Sequence, residues 1–406
     1  MNRPAQPLSG IRVLALEQYI SAPYCTMLLA DSGAEVIKIE RVGEGDHRRK
    51  IPPFVERDGV KKGAGFMAYN RNKKSVALDL HHPEGAEIYK ALAAKSDVVV
   101  ENMRPKSMEK IGLGYEDLRG LNPRLIYGAI SGFGRLPGYQ GPLSDKPCFD
   151  IVAEAMGGVM HAVGFEDKPP SWTIYGMADL YSGMVTAYGI TMALFMRERT
   201  GEGQFVDSAM YDNMISLNER MIYLFSTAGQ SISRGQLRNL YPRGAFKTKD
   251  GYIAINIPDD LTWGRLCRAM GREDLISDSR CTSGTVRAEN SDFLQPIIEN
   301  WLAGLTRGEA VDAINAVGVP AGPVQTAEDI FADPHIQARG MLMTIHDSEV
   351  GDYQFARSPL HLSAAPKLPA EPAPRLGEHT RSILADWLDY SPADIDRLAQ
   401  EKVIQT

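Results

Sequence analysis

Ile11-Arg-Val-Leu-Ala-Leu16 is a short apolar run, Ser21-Ala-Pro23 opens a stretch of small and apolar residues reaching Ala30, and Glu35-Val-Ile-Lys-Ile39 is a second apolar run. The outer pieces read as buried strands and the middle one as a helix, with Pro23 tolerated in its first turn because amides there have no intrahelical partner. Strand, helix and strand at this spacing make a parallel βαβ unit, whose ligands gather at the carboxyl ends of the strands. The charged, glycine-bearing segment Glu40-Arg-Val-Gly-Glu-Gly-Asp-His-Arg-Arg49 leaves that end. It carries no GxGxxG, so the dinucleotide fingerprint is missing.

The alternation continues outward. Ser75 to Asp79 reads as a strand, His82-Pro-Glu-Gly85 starts a helix running to Ala94, and Asp97 to Val100 and Arg124 to Ile130 read as further strands. Ser131-Gly-Phe-Gly134 ends the last of these with glycines that let backbone approach a ligand. The pattern predicts a doubly wound, Rossmann-like α/β domain. After a turn and strand between Gly201 and Met210, a helix is expected from Tyr211 towards Phe225. The chain then becomes polar and glycine-punctuated to Arg243. Gly244 to Asn256 reads as a hairpin turning at Lys249-Asp-Gly251, and Leu261 to Met270 and Phe293 to Leu305 as helices. We divide the chain into a large domain over 1–225, a smaller α/β domain over 226–328 and a C-terminal segment over 329–406. The proline-rich Pro359 to Pro374 has too few apolar neighbours for a core of its own and is expected to wrap another part of the molecule.

With 406 residues, 44% of them hydrophobic, the chain has enough apolar material for a large core. Its formal net charge of −7 argues against broad phosphate neutralisation, so nucleic acid is not an expected partner. The apolar runs are short and broken by charge, and Met1 to Ser9 holds no signal-peptide core. No membrane association is expected, and the expected location is the cytoplasm. Cys25, Cys148, Cys267 and Cys281 form no CxxC pair and read as free thiols in a reducing compartment. The histidines include one adjacent pair, His81-His82, and no HExxH, so no metal site is expected.

Thr173-Ile-Tyr-Gly-Met-Ala-Asp-Leu-Tyr-Ser-Gly-Met184 is where loop residues give way to helix residues, and it places Asp179 at an N-cap. Aspartate caps helices in many proteins with no further role. The same position favours an ionised carboxylate, and an ionised, positioned carboxylate is a nucleophile. Lys146-Pro-Cys-Phe-Asp150 precedes an apolar helix, so Asp150 is either a first-turn acid complementing the helix dipole or a second site carboxylate. Arg41, Arg48, Arg49, Arg71, Lys73, Lys74 and Arg104 read as loop residues near strand ends. Most are expected to be a solvated fringe, although an anion clamp needs only two or three.

Eight motifs in order, Gly33-Ala-Glu-Val-Ile-Lys-Ile-Glu40, Asn70-Arg-Asn-Lys-Lys-Ser75, Leu78-Asp-Leu80, Val100-Glu-Asn102, Ala178-Asp179, Thr200-Gly-Glu-Gly-Gln204, Val319-Pro-Ala-Gly-Pro323 and Leu376-Gly-Glu-His-Thr380, span nearly the whole chain. Together they resemble the family III CoA-transferases, the formyl-CoA transferase and carnitine CoA-transferase family. The resemblance implies that Asp179 is the catalytic nucleophile. It also implies that Gln18, Tyr19, Ile20, Ser21, Arg41, Leu78, His81, Asn102, Met103 and Lys110 contact CoA. Phe149 and Asp150 fall beside the reacting acyl group, Asp150 in an auxiliary role, and Met210 matches another active-site position. The resemblance further implies a large domain built from both chain ends and two chains threaded through each other as an interlocked dimer.

The implied reaction moves CoA from an acyl-CoA donor, succinyl-CoA among the candidates, to a carboxylic acid acceptor through an aspartyl-CoA thioester and mixed anhydrides. CoA is then a substrate, and no tightly bound cofactor is needed. This sequence departs from the family in carrying Gln18 where histidine or another polar residue is common, and His81 where a lysine contacts CoA. A single glycine stands in Asn239-Leu-Tyr-Pro-Arg-Gly244 where the oxalate-using branch has several, which argues against oxalate as acceptor. Two alternatives stay open at this point. One is an α-methylacyl-CoA racemase, which needs a base and an acid on opposite faces of the α-carbon; Phe149 here replaces that branch's histidine, and His161 lies further along. The other is a CoA-binding subunit of a heteromeric transferase.

Overall fold

The computed structural model describes residues 6–232, 234, 240–367 and 369–406. The leader reading at Met1 to Ala5 and the glycine comparison at Asn239 fall outside them. The chain divides into two compact units. One runs through His161 and adds Ser171–Gly229 and Gly340–Thr406; the other comprises Ala162–Pro170 and Gln230–Arg339.

The first unit is built on a seven-stranded sheet. Its strands are Arg12–Leu16 (β1), Glu35–Glu40 (β2), Lys73–Leu78 (β3), Val98–Glu101 (β4), Ile126–Ser131 (β5), Phe205–Ala209 (β6) and Ile404–Gln405 (β7), in the spatial order β7-β3-β2-β1-β4-β5-β6. All neighbours are parallel except β7, which pairs antiparallel with β3. Order reverses between β1 and β4, the switch point at which a doubly wound sheet opens a crevice beyond its strand ends. The strands are buried on both faces, as a parallel sheet under helices requires. Val13 and Ala15 join one core with Val36, Val98 and Val100, while Leu14 joins the other with Ile37, Ile39 and Val99.

Helices Ser21–Asp31 (α1), Pro83–Ala94 (α2), Asp150–Met156 (α3) and Met177–Thr200 (α4) cover the two faces, α1, α3 and α4 on one and α2 on the other. The C-terminal helices Thr380–Leu388 (α5) and Pro392–Gln400 (α6) pack beside α2 through Ile383, Leu384, Trp387, Ile395 and Leu398. Ser391 starts α6 with a reciprocal capping box to Asp394, and Pro392 sits where its missing amide costs nothing.

Several readings change here. Lys73 and Lys74 lie in β3, not in a loop, because the strand begins two residues before Ser75. The helix expected from Tyr211 is two, Met210–Leu217 and Glu219–Ala228, broken at Asn218, whose side-chain amide donates to the Gly157 carbonyl at 3.2 Å. The proline-rich stretch, expected to wrap another part of the molecule, keeps that reading: the Pro366 carbonyl accepts from Gln6, Asn72 exchanges hydrogen bonds with Glu371, and the Pro374 carbonyl accepts from Arg49. A hairpin of Leu342–Asp347 and Gly351–Ala356 was not read from the sequence, although Met343-Thr-Ile-His346 alternates apolar and polar residues, a short period-2 signal.

In the second unit Ala321–Pro323, Tyr252–Asn256 and Arg243–Lys247 form an antiparallel sheet in that order. Helices Asp260–Ala269, Ser291–Leu302 and Arg307–Ala316 supply Trp263, Leu266, Leu294, Ile298 and Ile314 to its core.

In the first unit, α4 lies directly on α1. A side-chain carbon at Gly183 would stand 2.5 Å from the Ser21 carbonyl oxygen, so only glycine allows this approach. Gly183→Ala is therefore expected to lower the unfolding free energy by about 1–3 kcal/mol in urea titrations. An unchanged midpoint would mean that the two helices are not held this close.

Candidate active site

The loops leaving β1 and β2 and the turn entering β3 are held by four buried charges. Lys38, enclosed within β2, reaches Asp46 at 2.8 Å and Glu17 at 3.4 Å; Lys73, the first residue of β3, reaches Glu17 at 2.6 Å. Thr26 donates to Glu17 at 2.6 Å, and Lys73 also donates to the Pro23 carbonyl and Asn70. Burial pushes Glu17 upward, but Lys73 and Lys38 outweigh it and hold the carboxyl below its ordinary value. Burial likewise opposes the charge on Lys38, and Asp46 and Glu17 restore it. The sequence reading did not single out Glu17, Lys38 or Asp46. A lysine inside the apolar Val36-Ile-Lys-Ile39 was the available signal, since a charge there must find a buried partner.

Asp46 passes this order to the loops. Its Oδ1 accepts the backbone N–H of Arg48 at 2.9 Å and of Tyr19 at 3.3 Å. Tyr19 takes a left-handed φ of 64°, its ring stacked with His47 and edge-on to Phe149. Asn102, just beyond β4, clamps the other side: Gln18 N–H donates to its side chain, which donates back to the Gln18 carbonyl and to Ser21 Oγ. Ile20 is buried immediately before α1, and Ser21 begins it.

A cavity of about 310 Å³ opens at the carboxyl ends of the strands, lined by Gln18, Arg41, Leu78, His81 and Met103, with Glu17 and Asp46 among its walls. Arg41 and His81 are exposed, as is Lys110 on a short turn at Glu109–Ile111. Met210 is buried in the core beneath α4, and Phe149 is exposed. Of the basic residues read as a loop fringe, Arg71 is buried against Asp31, Arg49 binds Glu40 through two nitrogens, and Arg104 is exposed.

Asp179 is the third residue of α4 and not its N-cap. Gly176, at φ 87°, makes the turn into the helix, and the capping carboxylate comes from Asp150 at the start of α3. Asp150 Oδ1 accepts the amides of Ala178 at 2.7 Å and Asp179 at 3.2 Å, and its Oδ2 accepts Trp172 Nε1–H at 2.8 Å. Nor is Asp179 kept fully ionised by the helix terminus. Burial and the facing Asp150 charge push it up to about 7, against a hydrogen bond from Ser21 and the charge of Arg48. Two carboxyls placed close together in this way favour a proton on one of them. One turn along α3, Glu154 is buried and accepts from Thr173 N–H and Oγ; burial raises it too. His161 is exposed. Among the described residues no group of three or more histidine, cysteine, aspartate or glutamate side chains is placed to hold a metal ion, and no helix is long and apolar enough to cross a membrane.

Because Asp179 is raised in the folded chain, its contribution to stability is fully present below about pH 4 and is lost as pH rises through about 7. Asp179→Asn removes this dependence. Its stability relative to the unsubstituted chain is expected to climb between pH 4 and 7 and then level off in chemical denaturation series. A difference independent of pH would refute the raised carboxyl.

Comparisons with known proteins fit this geometry. The family model for CoA-transferase family III matches residues 8–380. The chain is 42% identical over 383 residues to a succinyl-CoA:mesaconate CoA-transferase of Haloarcula hispanica, covering 93% of this chain and 95% of that one. It is 36% identical over 406 residues to a succinyl-CoA–D-citramalate CoA-transferase of Chloroflexus aurantiacus, covering 99% of each. The crystal structure of a CaiB/BaiF family protein from Brucella suis superposes with a TM-score of 0.84 at 34% identity, over 94% of this chain and 100% of that one.

Proposed function

The chain belongs to CoA-transferase family III and is a CoA-transferase, and from that premise we propose that it transfers CoA from succinyl-CoA to a small dicarboxylic acid through Asp179. The observation that carries this reading is a half-enclosed carboxyl raised to about 7 in the first turn of α4, facing Ser21 at the start of α1, which follows the loop bordering the cavity beyond the strand ends. The relatives named for mesaconate and citramalate support the substrate class.

In the proposed sequence the ionised Asp179 attacks the donor thioester carbonyl, and the C–S bond breaks to give a mixed anhydride and CoA thiolate. The thiolate then attacks the aspartyl carbonyl, releasing the donor carboxylate and leaving an aspartyl-CoA thioester. An acceptor carboxylate attacks that thioester and expels the thiolate again. Attack of the thiolate on the acceptor acyl carbon completes the exchange and restores Asp179. Gln18, Arg41, Leu78, His81 and Met103 would hold the CoA portion in the cavity. Asp150 orients Asp179 by binding its amide and raises its basicity. A more basic carboxylate is the stronger nucleophile once deprotonated.

Incubation with succinyl-CoA alone, trapping with hydroxylamine and mass spectrometry of the peptide holding Asp179 tests this directly. The expected result is a donor-dependent modification at Asp179, abolished in Asp179→Ala with CoA binding retained. Turnover surviving in Asp179→Ala would end the assignment. Activity is expected to rise with pH through about 7, and Asp150→Asn to move that limb to lower pH by removing a facing charge.

We further infer a homodimer in the cytoplasm. Met184, Tyr188, Met192, Phe195 and Met196 on α4, with Tyr223 and Phe225 on Glu219–Ala228, leave a large apolar surface exposed on one chain. Exposed patches of this kind mark interaction surfaces. Light scattering on the purified chain is expected to return twice the monomer mass; a stable, active monomer would remove the inference.

A further inference from the structure

We propose that Arg48 binds the second, non-transferring carboxylate of the dicarboxylic acyl group, and so selects that class over monocarboxylic thioesters of the same length. The inference rests on the reading of Asp179 as the acyl-accepting residue and names the group that reads the far end of the acyl chain.

Arg48 stands on the short turn His47–Lys50 and is 7% exposed. Other enclosed arginines of this unit are locked on carboxylates: Arg49 on Glu40, Arg71 on Asp31, Arg197 on Asp97. Among the described residues no carboxylate forms an ion pair with Arg48. Its side chain has one hydrogen bond, from Nη1 to the Tyr175 hydroxyl at 3.0 Å, and its Nε is buried without a partner. A buried guanidinium with one neutral acceptor retains most of its desolvation cost, which an anion entering the site offsets.

The place is also built for that side chain. A side-chain carbon on Gly65 would stand 2.4 Å from Arg48 Nε and 2.7 Å from Nη2, so the helix Ala64–Asn70 keeps clear where the guanidinium crosses it. Tyr175 covers the group, its ring centroid 5.3 Å from the guanidinium carbon. Asp46 fixes the backbone beneath by accepting the Arg48 amide. Tyr175, which accepts from Arg48, immediately precedes Gly176 at the entry to α4, so the guanidinium is tied to the segment that leads into Asp179 at the reacting end of the site. Arg41, by contrast, lines the cavity with His81 and lies in the open beside Glu44. The two arginines therefore serve different parts of an acyl-CoA. A planar fork of N–H donors matches a carboxylate and has no counterpart in a methyl group.

Succinyl-CoA and butyryl-CoA differ only in carrying a carboxylate or a methyl at the far end, and their relative kcat/KM for modification of Asp179 isolates the effect. Arg48→Gln is expected to lower the succinyl-to-butyryl ratio by about 10- to 100-fold, the range for losing hydrogen bonds to a charged group, with labelling by butyryl-CoA persisting. Gly65→Ala keeps the charge but crowds the guanidinium, and is expected to lower the same ratio by a smaller factor; it decides the question should Arg48→Gln fail to fold. An unchanged ratio, or equal losses with both thioesters, overturns the role of Arg48 while leaving Asp179 in place. Failure of both thioesters to label Asp179 in the unsubstituted chain overturns the acyl-transfer reading itself.

Discussion

Glu17, Lys38, Asp46 and Lys73 form a buried set of two acids and two bases on which the working end of the sheet depends. They come from the end of β1, the interior of β2, the loop after β2 and the start of β3. Each charge is expensive to bury alone, and removing one partner from such a set typically costs about 3–5 kcal/mol because it strands another. The set also fixes direction. Asp46 receives the amides of both Tyr19 and Arg48, so one carboxylate sets the position of the loop that opens α1 and of the turn that carries Arg48.

On that base the electrostatics of Asp179 is a contest between burial and three neighbouring groups. Burial and Asp150 oppose its charge, and Ser21 and Arg48 favour it, with a result near neutrality. Asp150 enters twice, since the carboxylate that repels the Asp179 charge also binds the Asp179 amide and caps α4. The structure thus separates two roles that an N-terminal aspartate often combines. Capping falls to Asp150, which leaves the side chain of Asp179 free of that duty.

Much of the central sheet was legible from local pattern. The apolar runs at Leu14, Val36 and Val99 are long enough to be strands and alternate between two cores, and the small-residue helix between the first two leaves little choice but a parallel crossover. Less was legible where a short piece gains its identity from a distant partner. Ile404–Gln405 is a strand because β3 offers an edge, and Asn218 ends a helix partly through its bond to Gly157. The site was legible in part. Asp179 and Asp150 stood out as acids at loop-to-helix junctions, and the structure brings them together through the amides of α4. Arg48 was one of seven basic residues, and nothing in its neighbours along the chain distinguishes it from Arg49.

By itself, then, the sequence determined the doubly wound sheet, the order of its motifs and the family to which the chain belongs. These depend on hydrophobic period, chain spacing and residue identity, all of which are properties of neighbours along the chain. Only the tertiary structure decided that Lys73 is enclosed in a charge network, that Asp179 sits inside α4 with its carboxyl raised to about 7, and that Arg48, unlike Arg49 and Arg71, has no ion pair with a carboxylate among the described residues. Charge, burial and pairing act through space between residues far apart in the chain, and so they are set only once the fold has brought those residues together.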